Sequence, residues 1–309
     1  MGPAPAEPRR IAFLGLGLIG GSLAMAIRAA FRADDRDTPP PAPELVAWTP
    51  SGRGPRIARE RGIVDVAAAS APEAIEGSDV LVLAGPPLAT LDHLEMLAGP
   101  WRGALDGDAI VTDVASSKAA VVGRADELGL RFVGGHPMAG REVVGLEAGS
   151  AALFVGRPWV VVPGRAAAAA DTAAIERLVA RVGATPVRMA AEAHDAAVAA
   201  ISHLPLVVAA ALAEAVTSGD DWPVARALAA TGWRDMTRLA RGDPDMGAGI
   251  VATNAEAIAE RLVALRSALD AWLAALRPAG GGGPDADAVR RRLAAARAAL
   301  GDPTPGPGP

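Results

Sequence analysis

The stretch Ile11-Ala12-Phe13-Leu14-Gly15-Leu16-Gly17-Leu18-Ile19-Gly20-Gly21-Ser22 decides how the rest of the chain is read. Its first four residues form a short apolar strand, and Ser22 to Phe31 continue as a helix. Between them stands a G-x-G-x-x-G turn. A helix N-terminus leaves backbone N–H groups unpaired and carries partial positive charge. A pyrophosphate fits there when no side chain blocks it. Gly15 permits the tight turn, Gly17 lets the backbone approach the phosphates, and Gly20 lets the helix pack close to the strand. The glycine pattern alone is a weak signal; the strand before it and the helix after it are what support a dinucleotide site over a purely structural turn. Gly15, Leu16, Gly17, Leu18, Ile19 and Gly20 are therefore expected to line a cofactor.

Outward from this turn, apolar strands at Leu45–Trp48, Val80–Leu83, Ala109–Thr112, Phe132–Gly135 and Trp159–Val162 alternate with helical stretches, including a short helix at Arg56–Arg61. That alternation predicts an α/β domain over residues 9–163, a Rossmann-type doubly wound parallel sheet. Gly85 and Pro86 follow one strand and Asp113 ends the next, so all three are placed at the cofactor. The second strand should end in an acid that holds the ribose 2′-hydroxyl of NAD. The sequence there is Trp48-Thr49-Pro50-Ser51-Gly52-Arg53, without an acid. Thr49, Ser51 and Arg53 suit a 2′-phosphate instead, which favours NADP over NAD. The alternative is a solvated Arg53 and use of both cofactors.

After Pro163 the character changes. From Ala166 to Leu276 the chain reads as alanine-rich helix, broken at Gly183–Pro186, Ser218–Pro223 and Gly242–Pro244. An all-helical domain over 166–277 is expected. The helix Ala196–Val216 is apolar on most faces and must be buried, which predicts a homodimer of interleaved helices; a compact monomeric bundle is the alternative. Residues 278–309 read as a glycine linker, a terminal helix at Asp285–Leu300 and a Pro/Gly tail.

The 309 residues carry a net charge of −5 and contain neither cysteine nor tyrosine. Disulfides, thiolate chemistry and a tyrosine acid are excluded, and the charge gives no case for nucleic acid or a membrane surface. The apolar run Ile11–Ile27 is interrupted by the glycine turn and does not read as a membrane span. The N-terminus lacks the layout of a signal peptide. A soluble cytoplasmic protein without a metal is expected.

The chain has four histidines. His93, on a surface helix, reads as solvated. His194, at the start of a long helix, reads as a first-turn or capping residue. His136 follows a strand and Gly134-Gly135 and precedes Pro137-Met138-Ala139-Gly140, which points it at the ligand crevice of such sheets. His203 lies in Ile201-Ser202-His203-Leu204-Pro205 and reads either as a satisfied core group or as a functional one. Gly232-Trp233-Arg234-Asp235-Met236-Thr237-Arg238 sets two arginines on one helix face, either solvated or a carboxylate clamp.

With Gly15–Ser22, these segments resemble the prephenate and arogenate dehydrogenases of tyrosine biosynthesis. The further matches are Thr112-Asp113-Val114-Ala115-Ser116-Ser117-Lys118, Gly134–Gly140, Ser202–Pro205, and Gly232–Arg238 followed by Asp243-Pro244. They occur in the family's order, over roughly residues 9–277. The resemblance implies a Rossmann domain followed by a helical dimerisation domain. It also implies oxidative decarboxylation of a cyclohexadienol. His136 would accept the hydroxyl proton and Ser116 would hydrogen-bond the same hydroxyl. Arg238, with Arg234 as the weaker candidate, would hold a substrate carboxylate, and His203 would orient the substrate. Glu142 and Asp235 would form ion pairs that hold the arginine and gate the pocket. Arg141 departs from the smaller polar residue expected after the His-Pro-Met-Ala-Gly segment. Two other readings compete: a β-hydroxyacid dehydrogenase or imine reductase, which usually needs a lysine in its helical part where none follows Lys118, and a non-catalytic dinucleotide sensor. The residues leave prephenate and arogenate equally open.

Overall fold

The computed structural model describes residues 7–34, 40–140, 143, 145–277 and 283–301. Met1–Ala257 form one compact unit and Ile258–Pro309 a second.

The first unit opens with β1 (Arg10–Leu14), α1 (Leu18–Arg32), β2 (Glu44–Trp48), α2 (Arg53–Glu60), β3 (Val66–Ala67), α3 (Ala71–Ile75), β4 (Val80–Leu83) and α4 (Pro87–Ala98). It continues with β5 (Ile110–Asp113), α5 (Ala119–Glu127), β6 (Phe132–Pro137), β7 (Pro158–Pro163), α6 (Ala169–Arg181) and β8 (Thr185–Arg188). The eight strands form one sheet in the order β3-β2-β1-β4-β5-β6-β7-β8. Side chains of successive strand residues point to opposite faces. Ile11, Phe13, Leu45, Ala47, Val80 and Val82 therefore bury one face with Leu23 and Ile27 of α1 and Ile175 and Leu178 of α6. Ala12, Leu14, Val46, Leu81 and Leu83 bury the other with Ile75, Leu94, Leu97 and Val121. Coverage of both faces is why these strands read as unbroken apolar runs.

The chain order reverses around β1, whose neighbours are β2 and β4. The glycine turn follows β1 at this switch point. Gly15 has φ +106°, and its N–H donates to the Trp48 carbonyl at 2.9 Å. A Cβ there would lie 2.6 Å from the carbonyl carbon of Ala84. At Gly20 a Cβ would meet the Gly15 oxygen at 2.8 Å and the Ala84 methyl at 2.9 Å. These two glycines let the ends of β1 and β4 and the start of α1 converge.

Two expectations are corrected. The strand expected at Trp159–Val162 runs antiparallel to β6, not parallel. A parallel neighbour needs a crossover connection, usually helical, and between β6 and β7 the described residues hold only the short 3-10 turn Leu146–Ala148. Because β7 returns directly alongside β6, pairing extends through Pro137, and His136 is a strand residue opposite Val160 rather than a loop residue. The second correction concerns the domain boundary. The break read at Gly183–Pro186 is the edge strand β8, parallel to β7. A proline is tolerated on an edge, where its missing N–H costs no ladder bond. The sheet module thus continues to Arg188, and the helical part starts later than residue 166.

That part comprises α7 (Ala191–Val198), a π turn at Ala199–His203, α8 (Leu204–Thr217), α9 (Trp222–Leu228), α10 (Thr231–Thr237), α11 (Pro244–Thr253) and the start of α12 (Ala255–Leu276). The π turn stands immediately before Pro205, whose absent N–H breaks the regular ladder. Asp243 caps α11 through the amides of Asp245 and Met246. In the second unit, the rest of α12 is followed by α13 (Ala286–Leu300), capped by Asp285. The Arg292 guanidinium lies 5.4 Å from the Trp272 ring centroid.

Gly15→Ala should destabilise the fold by about 2 kcal/mol or more, from left-handed strain and the Ala84 clash. Gly17, where a Cβ meets nothing within 4 Å, should tolerate alanine within about 1 kcal/mol. Denaturant unfolding of both variants measures the contrast.

Candidate active site

The N-terminus of α1 is built to take an anion. Its N-cap is Gly17, no side chain caps it, and its first turn holds no acid. The space beside Gly17 is open. The residues from Gly15 to Gly20 therefore fit a pyrophosphate on the unpaired N–H groups. Gly85 and Pro86 lie at the head of α4, beside Gly15: the Gly85 nitrogen is 2.8 Å from where a Gly15 Cβ would sit. At the end of β2, the Thr49 hydroxyl is buried without a hydrogen-bond partner. Ser51 accepts from the Arg53 amide at 3.4 Å, and Arg53 opens α2 with its side chain exposed. The Leu16 carbonyl lies 3.5 Å from a Cβ built at Gly54, so α2 starts next to the glycine turn.

Asp113 stands apart from this group. Its side chain is fully buried and ion-paired with Lys118, itself fully buried. One carboxylate oxygen accepts from the Gly135 amide and the other from the Ala115 amide, each at 2.9 Å. The Asp113 carboxylate therefore braces the ends of β5 and β6 from inside, which corrects the expectation that it faces the cofactor. Lys118 also donates to the Gly135 carbonyl at 2.8 Å. Burial lowers the Lys118 pKa from its ordinary value, opposed by Asp113 and then Asp195.

Three histidines gather above this pair. His136 Nδ1 lies 2.8 Å from His194 Nε2, and His194 Nδ1 lies 2.7 Å from Asp195 Oδ1. Asp195 Oδ1 also accepts from the Lys118 amide at 2.7 Å and Oδ2 from the Ala119 amide at 2.8 Å. It thereby caps α5, which has no side-chain cap of its own nearby. The Asp195 carbonyl accepts from Asn254 Nδ2 at 2.9 Å, and the same nitrogen lies 3.0 Å from His203 Nδ1. His203 is 1% exposed, with Nε2 unpartnered. Ser117 donates to Thr253 at 2.6 Å, a second tie between the loop after β5 and α11.

Burial holds the His136 pKa well below the ordinary histidine value, helped by Lys118, His194 and His203. Burial likewise pushes His203 down to about 4, against the field of Asp195; His194 lowers it and the adjacent Ser116 backbone raises it. Both rings are neutral at pH 7, one state suited to a proton acceptor.

His136 and His203 thus lie in one cluster, with the Ser116 backbone beside His203. Arg234, Asp235 and Arg238 are exposed on and just after α10, which packs on α8. Glu142 and Arg141 lie outside the described residues. One histidine reading is extended and another changes. His194 stands in the first turn of α7, as read, and is also a buried member of the cluster. His93 is half-buried, with its ring centroid 6.2 Å from Trp48 and 5.7 Å from Trp101, and burial lowers its pKa. Asp195 and Asn254 went unnoticed in the sequence. The available signal was an acid directly after a histidine in α7 and an amide at the C-cap of α11. Among the described residues no three His, Asp or Glu side chains are arranged to hold a metal.

Residues 53–188 match the family model for the prephenate dehydrogenase nucleotide-binding domain, and residues 190–281 match the model for the prephenate dehydrogenase dimerization domain. The chain is 32% identical over 255 residues to a prephenate dehydrogenase of Bacillus subtilis, covering 81% of this chain and 66% of that protein's length. The arogenate dehydrogenase of Synechocystis is 32% identical in its crystal structure, with a TM-score of 0.68 and coverage of 84% of this chain and 89% of that one. The fold is shared also with a prephenate dehydrogenase from Aquifex aeolicus, at 24% identity, TM-score 0.81, and coverage of 96% and 100%. The chain belongs to the prephenate dehydrogenase family.

Proposed function

We propose that the chain is a nicotinamide-dependent dehydrogenase of tyrosine biosynthesis that oxidatively decarboxylates prephenate or arogenate. The observation that carries this reading is the His136–His194–Asp195 chain, which leaves His136 Nε2 facing away from its partners. Asp195 can only accept, so His194 carries its proton on Nδ1. A neutral His194 then accepts at Nε2 from His136 Nδ1–H, and His136 Nε2 keeps a lone pair. When bound, the nicotinamide accepts a hydride from the carbinol carbon of the substrate. His136 Nε2 takes the hydroxyl proton as carbonyl character develops, and Ser116 hydrogen-bonds the same oxygen. The positive charge gathered on His136 is spread through His194 to Asp195. Loss of the ring carboxylate as carbon dioxide restores aromaticity. The substrate carboxylates need cations, and Arg238, with Arg234 beside it in the helix, takes that role. Asp235 steadies the arginine by pairing with it, and His203 orients the substrate.

For the cofactor, the absence of an acid from Trp48 to Arg53 supports NADP over NAD. Thr49, Ser51 and Arg53 would hold the 2′-phosphate beside the glycine turn. For assembly, only Ala209 of α8 is buried in the single chain, and Ile201, Val224 and Leu228 are more than half exposed. The run Ala191–Thr217 is long and apolar enough to cross a membrane, yet His194, Asp195 and His203 are tied into the site. A second copy of the chain covers this surface.

Reduction of each nicotinamide cofactor, followed by absorbance with prephenate and arogenate offered separately, tests the activity. Turnover with at least one substrate and a higher kcat/KM with NADP are expected; no turnover with either refutes the reading. His136→Asn should lower kcat by about two to four orders of magnitude while leaving dinucleotide affinity nearly unchanged. Because the His136 pKa is lowered, its neutral form persists on acidification, and the acid limb of kcat/KM should fall below pH 6.5. Light scattering should return twice the mass of the chain.

A further inference from the structure

Asp195 meets both substrate-facing histidines, and it does so through two different groups. Its carboxylate reaches His194 Nδ1, and His194 reaches His136. Its main-chain carbonyl accepts from Asn254, and Asn254 reaches His203. The orientation of the Asn254 amide is fixed by this arrangement. A carbonyl oxygen cannot donate, so the nitrogen of Asn254 must face it. The same nitrogen then donates to His203 Nδ1, which must be the unprotonated nitrogen of the ring. Neutral His203 therefore carries its proton on Nε2, a buried atom on the ring that the Ser116 backbone adjoins. On the other branch the logic runs in the opposite sense: a carboxylate accepts from His194 Nδ1–H, and where that is the ring's one proton His194 Nε2 accepts and His136 carries its proton on Nδ1.

We propose that Asp195 and Asn254 are positioning residues that lock His136 and His203 in opposite tautomers, one an acceptor and the other a donor toward the substrate. The assignment of the two rings as substrate-facing rests on the function proposed above; the lock itself does not. A base and a hydrogen-bond donor are thus set by one residue, so that neither ring can take the other's role. Two rings of the same tautomer would present two acceptors or two donors, and one of the two contacts to substrate would be lost. The same Asp195 carboxylate caps α5 from a different part of the chain. Formation of that cap and selection of the tautomers are therefore one event.

The four histidines make the test tractable. In the full chain labelled with 15N-histidine, long-range 15N–1H correlations should show His203 protonated at Nε2 and His136 at Nδ1, each assigned by its single substitution to glutamine. Asn254→Ala should leave His136 unchanged and move His203 to a mixture of tautomers. It should raise KM for the substrate about tenfold, the value of one well-placed hydrogen bond to a charged group, with kcat changed less than KM. In a His203→Gln background the same Asn254→Ala change should add no further rise in KM, because Asn254 acts through His203. Asp195→Asn should disturb His136 through His194, since an amide has one oxygen for three donors, and leave His203, reached through the main-chain carbonyl, in its tautomer; the Asn254 variants keep the test decisive should that chain fail to fold. His136 and His203 found in the same tautomer, an Asn254→Ala chain with His203 unchanged, or full additivity with His203→Gln would each overturn the lock. The expected tautomers without turnover of any cyclohexadienol would leave the lock standing and overturn the proposed function instead.

Discussion

A fully buried lysine has to be matched, and the way Lys118 is matched organises the site. Its ammonium is held by Asp113 and the Gly135 carbonyl, and its own amide by Asp195. Breaking one partner of such a pair leaves an uncompensated charge and is worth about 3–5 kcal/mol. The side chain therefore ties the ends of β5 and β6, while the backbone ties both to α7. His136 follows Gly135 directly, so the position of that imidazole depends on where the lysine is anchored. Two glycines make the approach possible: a Cβ at Gly134 would lie 2.8 Å from a Val122 methyl, and one at Gly135 2.6 Å from the Asp113 carbonyl oxygen.

The electrostatics follow from the same packing. Lys118 lies close enough to His136 to disfavour a second positive charge, and burial acts in the same direction. A neutral imidazole is the outcome. At the same carboxyl edge of the sheet, α1 presents bare amides that suit an anion. The glycine turn and the histidine cluster are thus built by opposite devices: uncapped backbone donors at the one, and a buried network of side-chain hydrogen bonds beneath the other.

Much of this was readable in the chain. The glycine turn was legible because only glycine meets the close approach of Gly15 and Gly20 to Ala84, and such a requirement leaves a local mark. His136 was legible because a Gly-Gly strand and a Pro-Met-Ala-Gly segment flank it. The burial of His194 was not legible, because a histidine in a first turn looks the same whether the helix faces water or packs on the loop after β5. His93 was misread for the same reason; it lies against Trp48 and Trp101, contributed by other elements. The direction of β7 and the extra strand β8 escaped because short apolar runs carry no sign of which way they pair, and a proline next to a glycine marks an edge strand as readily as a loop.

The sequence by itself determined the dinucleotide turn, the missing acid after β2, the residue types of the catalytic cluster and the apolar helices that need a cover. These depend on composition and on spacing within one element. Only the tertiary structure decided which nitrogen of each histidine is partnered, which acid caps α5 and where the sheet ends. A ring nitrogen becomes donor or acceptor according to the partner set against it. Here that partner comes from a distant segment: Asp195 reaches Lys118 across 77 residues and Asn254 reaches His203 across 51.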